Sequence, residues 1–201
     1  MPYDPEARNR QILGRPPRLQ PVADECIDAE TMVVVNLVRD LHALPHDGPL
    51  PEIVGVMGCN GPFFRHFFQA ADLFERQSTL PDRLRELIIL RTGWLCGAPY
   101  AWSEHVRMGH IAALTPEEIE RITVGSDAAG WTDEERALIK SAEELHADAM
   151  IADATWAILA GFLSHEQLIE VPILVGHYHL GAFVQNSLRL TPRNPDGLVA
   201  R

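Results

Sequence analysis

Cysteine is scarce in this 201-residue chain: only Cys26, Cys59 and Cys96 occur, an odd number with no Cys-x-x-Cys pair. That excludes a disulfide framework and points to reduced thiols in a reducing compartment. Long apolar runs are missing too, since the longest, such as Leu87 to Leu90, fall far short of the ~20 residues of a membrane span. The first residues, Met-Pro-Tyr-Asp-Pro-Glu-Ala-Arg, contain no apolar signal core. The expectation is a cytoplasmic protein with no membrane partner. Basic charge is short as well: 17 Lys plus Arg stand against 28 Asp plus Glu, a formal net charge of -11. No basic stripe could follow a phosphate backbone, so a nucleic-acid partner is not expected. Gly-rich phosphate loops, a Gly-x-Ser-x-Gly elbow and a dinucleotide fingerprint are all absent, which leaves nucleotide chemistry without support.

What is present is a globular balance of 46% hydrophobic and 22% charged residues. A chain of this length removes roughly 70% of its unfolded surface from water, enough for a core without disulfide or metal staples. Residues 1–24 carry Pro2, Pro5, Pro16, Pro17 and Pro21, a density that predicts an arm rather than helices, laid over the body or a neighbouring subunit. Residues 25–191 read as one helical domain and 192–201 as a loose tail. From the cap Asp28, apolar Met32, Val35, Val38 and Leu41 recur at helical spacing. Glu52 to Met57 fits a short strand or a short helix. Pro62 then leads an aromatic stripe of Phe63, Phe64, Phe67 and Phe68, which reads as core or as an apolar pocket wall.

Leu80-Pro81-Asp82 opens a helix ending at Gly97, and the next begins near Tyr100. So short a connector folds the chain back, so the two helices must pack as a hairpin. Thr115-Pro116-Glu117-Glu118, Thr132-Asp133-Glu134-Glu135 and Ser164-His165-Glu166-Gln167 are capping-box signals for three later helices, and Asp153 starts a further one. No series of strands is legible. The hairpin carries polar residues that plain packing does not need, among them Glu86, Tyr100, Trp102 and His105. Antiparallel packing can bring Glu86 and His105 to one level, and an imidazole beside a carboxylate is an acid/base couple suited to neutral pH.

The run Leu80-Pro81-x-Arg83-Leu84-Arg85-Glu86-Leu87-x-Ile89-Leu90-Arg91, then Tyr100-x-Trp102-x-x-His105, then Leu-Thr-Pro-Glu-Glu-Ile, resembles the carboxymuconolactone decarboxylase family, whose fold is shared with alkylhydroperoxidase D-like proteins. Trp131, Ala154-Thr155-Trp156 and Gly176-His177-Tyr178 look like the C-terminal half of its longer members. The resemblance implies an all-α, alkylhydroperoxidase D-like bundle of about seven or eight helices around the hairpin. It also implies a homo-oligomer: dimer, trimer or hexamer.

By the same resemblance, Glu86 and His105 match the family's proton-relay pair, and Tyr100 falls where the redox branch often has a histidine. That branch carries two cysteines at the positions of Ala98 and Ala101 here, so thiol-dependent peroxide reduction loses its chemistry. The activity implied is a cofactor-independent lyase of decarboxylase type, acting on a small organic acid or lactone of aromatic-compound breakdown. An isomerase or hydratase using the same pair, or a catalytically silent oligomeric module, is the alternative. In the lyase reading His105 donates the proton, Glu86 orients it, and Tyr100 hydrogen-bonds a substrate oxygen. Trp102, Phe63 and Phe67 wall off water, Arg91 holds a substrate carboxylate or forms a structural ion pair, Cys96 is a small wall residue, and His177 faces the pocket or the core. Metal is not expected. His177 and His179 at i, i+2 lie on different faces of a helix, and His105 and His110 at i, i+5 diverge by about 140 degrees.

Overall fold

The computed structural model describes residues 4–41, 44–48 and 50–192. These form ten α-helices and two 3-10 turns, with no strand among them. In chain order the helices are α1 (Pro5–Ile12), α2 (Ala29–Leu41), α3 (Glu52–Met57), α4 (Gly61–Gln77), α5 (Asp82–Leu95), α6 (Pro99–Ile111), α7 (Pro116–Val124), α8 (Asp133–Asp148), α9 (Asp153–Leu159) and α10 (His165–Leu188). None is long and apolar enough to cross a membrane. Residues 193–201 of the expected 192–201 tail, and the first three residues, lie outside the described residues.

The N-terminal expectation needs correcting. Pro5 does not prevent a helix, because it occupies the first turn of α1, where a backbone donor is not required, and Asp4 caps the helix by accepting from the Glu6 and Ala7 N–H groups. Ile12 is buried, and the following segment is tied to the body by Arg18 N–H to Leu188 O (3.0 Å) and Val22 N–H to Gly55 O (3.0 Å). Glycine is needed at 55 because a Cβ there would stand 2.7 Å from the Pro21 ring. With α1 and a helical 52–57, the bundle has more helices than the pattern alone suggests.

Central helix α5 is buried without a break from Arg85 to Gly93. It packs against α6, α7, α8 and α10, so two apolar clusters meet around it. Leu87 and Leu90 face Ile119, Ile122 and Trp131; Ile88 faces Leu138, Leu159 and Leu174. A further region joins Val35, Val38, Val54, Phe64 and Phe68 to Tyr100 and Leu190. The hairpin turns at Gly97, whose φ of 55° is the left-handed conformation that closes a helix, with Cys96 capping α5 through its N–H to Thr92 O (3.0 Å). All three predicted capping boxes form at Thr115, Thr132 and Ser164. Pro172 lies inside α10.

Because a central helix has no free face into which a truncated core can relax, Leu87→Ala is expected to lower unfolding stability by about 2–5 kcal/mol. Urea unfolding followed by circular dichroism checks this, and a loss below about 1 kcal/mol would contradict the packing described.

Candidate active site

Glu86 is a carboxylate on the continuously buried stretch of α5, with its side chain 1% exposed. An ionised carboxylate in such a place needs a partner. His105, on the facing wall of the hairpin, supplies it: Nδ1–H donates to Glu86 Oε2 at 3.0 Å. Glu86 Oε1 is buried with no hydrogen-bond partner among the described residues. With Nδ1 engaged, proton exchange with a ligand falls to Nε2, and the carboxylate fixes the plane of the ring.

His105 forms part of the wall of a pocket of about 100 Å³. Three helix faces make most of the rest. From α4 come Phe67, Ala71 and Glu75 at i, i+4 and i+8, with Phe68 beside them; from α6, Ala101, Glu104, His105 and Met108, with Tyr100; from α10, His177, Tyr178, Gly181 and Gln185. Tyr178 sets its ring edge-on to the imidazole of His105, centroids 4.8 Å apart, and His177 stacks on Phe67 at 4.8 Å. Among the described residues, no lysine or arginine lines this pocket.

Burial shapes the ionisation of the groups around it. Glu75 is raised above the ordinary carboxylate range by desolvation; the Arg85 guanidinium 3.3 Å away pulls the other way, and the nearby Glu86 charge adds to the rise. Burial also raises Tyr178, reinforced by Glu86 and Glu75. His177 is lowered to about 4 by burial and by the positive field of His105 and His66, so it is a neutral, apolar-facing ring at neutral pH.

Of the residues singled out from the sequence, the structure brings His105, Tyr100, Phe67 and His177 to the pocket, with Glu86 directly behind His105. Four lie elsewhere. Trp102 points to the opposite side of α6, packing with Trp94, Leu87 and Trp131, because i and i+3 from His105 do not fix which flank a bulky ring takes. Phe63 is 73% exposed on the outside of α4. Arg91 is buried in a structural set, donating to Glu143 Oε1 (Nε, 3.0 Å) and to the carbonyls of Ile122 (2.8 Å) and Thr123 (3.1 Å). Cys96 is buried beside Ala98, Ala101 and Ala182 rather than in the pocket wall, and desolvation pushes its thiol up to about 11. Glu75, Met108, Tyr178 and Gln185 are pocket residues that sequence reasoning missed. The signal was there for Glu75, in phase with Phe67 along α4, and for Tyr178, next to His177.

This fold and pocket define an alkylhydroperoxidase D-like all-α protein with a carboxylate–imidazole pair at its centre. Residues 62–144 match the model of the carboxymuconolactone decarboxylase family. Among solved structures, the chain is similar to a peroxidase-related protein with an alkylhydroperoxidase AhpD core from Ralstonia eutropha JMP134 (TM-score 0.77, 17% identity, 93% of this chain and 98% of that one). It is also similar to a variant of the debrominase Bmp8 in complex with 2,3,4-tribromopyrrole (TM-score 0.74, 15% identity, 90% and 95% covered). A peroxidase-related protein from Silicibacter sp. TM1040 is a third (TM-score 0.73, 15% identity, 93% and 99%). At these identities the likeness is one of fold. Among curated proteins, none matches the chain.

His177 leads to a pH prediction. Its folded-state value of about 4 lies below the ordinary 6.5, so the unfolded chain binds more protons in between. Stability contributed by the neutral ring is then lost as pH falls from about 6.5 to about 4, by the order of 2–3 kcal/mol. Glu75, being raised, acts in the opposite sense, losing stability as pH climbs through its folded value. The comparison with His177→Gln isolates the histidine: chemical denaturation at pH 7 and 4.5 should show a smaller acid loss in the variant, and equal losses would contradict the buried neutral ring.

Proposed function

We propose that the chain is a cofactor-independent enzyme that uses His105 as a general acid on a compact organic molecule, in a lyase reaction of decarboxylase type. The observation that carries this reading is the 3.0 Å bond from His105 Nδ1 to a fully buried Glu86, at the wall of an otherwise mostly apolar pocket. The C–C bond to the substrate carboxylate breaks, CO2 leaves, and the bonding pair passes into a conjugated carbonyl or enol-lactone. His105 Nε2 then delivers a proton to carbon, and Glu86 stabilises the imidazolium beforehand. General acid catalysis of this kind is worth about 10²–10⁴-fold.

The lining narrows the substrate. A pocket of about 100 Å³ suits a compact molecule, of the order of a single ring, as the 150 Å³ cavity that admits benzene illustrates. With Glu75 and Glu104 on the wall and no lysine or arginine among the described lining residues, a monoacid, such as a lactone bearing one carboxylate, is favoured over a multiply charged acid. Burial raises Glu75 above the ordinary carboxylate range, and the Tyr100 hydroxyl can donate to a substrate oxygen. Peroxide reduction by a vicinal thiol pair has no support, since alanines occupy positions 98 and 101. The fold supports small-ring binding in another setting, the 2,3,4-tribromopyrrole complex of the debrominase.

Incubation with compact monocarboxylic enol-lactones and oxo acids, and with the dicarboxylate carboxymuconolactone as the disfavoured comparison, tests this through CO2 release and solvent deuterium uptake at carbon. Glu86→Gln and His105→Gln are expected to lower turnover by about 10²–10⁴-fold with the fold intact by circular dichroism. Wild-type rates at background, or variants as fast as the wild type, would remove the pair from the chemistry. Proton movement between carbons without CO2 release would favour the isomerase alternative.

The same reading includes a homo-oligomer. Ile169, Ile173, Leu180 and Phe183 form an exposed stripe along α10 at helical spacing, and a Cβ at Gly176 within it would meet no atom within 4 Å. An apolar stripe of this length fits a second copy of the chain. Ile173→Glu is expected to shift the mass found by light scattering toward the monomer, and an unchanged mass would place the interface elsewhere.

A further inference from the structure

Three residues far apart in sequence, on three different elements, bring potential metal ligands together on a flank of α10 away from the pocket. Cys96 caps α5 at the hairpin turn, His146 lies in the last turn of α8, and His179 is in the middle of α10. One ligand atom from each lies within 4.8 Å of the other two. None of the three lines the pocket that contains His105. We propose that Cys96, His146 and His179 form a binding site for a thiolate-preferring divalent transition ion, Zn2+ in chemical class, with its fourth position open to solvent.

The hydrogen bonds around the cluster prepare it for this. His179 Nδ1–H donates to Val175 O at 2.9 Å, which leaves Nε2 with a lone pair directed at the cluster. A backbone carbonyl holding the distal N–H is the usual support for a metal-bound imidazole, because it fixes both tautomer and ring plane. The Cys96 turn is held in turn by α10: the Asn186 side-chain amide donates to Cys96 O and Gly97 O, both at 3.2 Å. His146 Nδ1 stands 2.9 Å from His179 Nε2. Two imidazole nitrogens that close are near the separation of neighbouring corners of a tetrahedral zinc site, whose metal–ligand bonds are about 2.0–2.3 Å.

Ion entry is balanced in protons. Without metal, His146 Nδ1–H donates to His179 Nε2, and Cys96 is a thiol. On binding, the His146 hydrogen passes from Nδ1 to Nε2 at the solvent-exposed edge, Cys96 gives its proton to solvent, and three donor lone pairs face the ion. One thiolate and two imidazoles suit Zn2+ better than Mg2+ or Ca2+, which require oxygen ligands. Spacing along the chain could not reveal this site, since none of its members is within a turn of another.

The full chain, stripped with a chelator, is titrated with Zn2+ against a chromogenic competitor and, separately, with Co2+ followed by absorption. The expected result is one tightly held equivalent, and a cobalt spectrum of tetrahedral type with a thiolate charge-transfer band. Cys96→Ser should abolish that band. Cys96→Ser, His146→Gln and His179→Gln should each weaken Zn2+ binding by about 100-fold or more. Because His146 is exposed, His146→Gln keeps the test decisive should the buried cysteine variant fail to fold. Sub-stoichiometric zinc, a thiolate-free octahedral cobalt spectrum, or undiminished affinity in His146→Gln would overturn the proposal.

Discussion

Placing a carboxylate in the middle of the molecule is the constraint around which the rest is arranged. Glu86 sits on a helix covered by four others, where an unpaired charge would cost several kcal/mol, and His105 is the group that meets it. This pairing ties the register of α6 to α5: a one-residue shift of α6 would turn His105 by about 100 degrees and leave the carboxylate alone. The same bond aims the imidazole at the pocket. The burial of the carboxylate and the orientation of the imidazole therefore rest on one contact.

The arginines of α5 show how a buried helix with so much charge holds together. Arg83 bridges Glu118 and Glu135, linking α5 to α7 and α8; Arg85 pairs with Glu75 of α4; Arg91 pairs with Glu143 and takes the C-terminal carbonyls of α7 that have no partner within the helix. Each guanidinium thus joins α5 to its neighbours at a different level. Arg85 acts at the pocket edge without lining it, pulling Glu75 toward ionisation against a desolvation that wins. Had any of these cations faced the cavity, the case for a monoacid would weaken.

Much of this was legible because helix caps and turn lengths are local properties. Thr115, Thr132 and Ser164 announce their helices, and the short turn at Gly97 forces the hairpin that makes Glu86 and His105 neighbours. What local pattern cannot supply is which flank of a helix faces which partner. Trp102 and His105 share a helix, yet the indole goes to the Trp94 cluster and the imidazole to the pocket. Phe63 precedes Phe64 in an aromatic run, but of the two only Phe64 turns inward. Proline density misled at the N-terminus for a positional reason: at the start of a helix the missing donor costs nothing.

The run His177-Tyr178-His179 makes the same point at its sharpest. At about 100 degrees per residue, three consecutive side chains address three surroundings. His177 stacks on Phe67 and is kept neutral, Tyr178 meets the His105 ring edge-on, and His179 turns away toward His146 and Cys96. Sequence spacing correctly separates His177 from His179, and so argues against the two sharing a metal. It says nothing of a cysteine far upstream, at the end of α5. The α5–α6 turn resolves the matter, because one reversal presents Cys96 to α8 and α10 while Ala101 and His105, further along on α6, look into the pocket. A single turn thereby places the thiol and the carboxylate–imidazole pair on separate sides of α10, and keeps the sulfur out of the cavity.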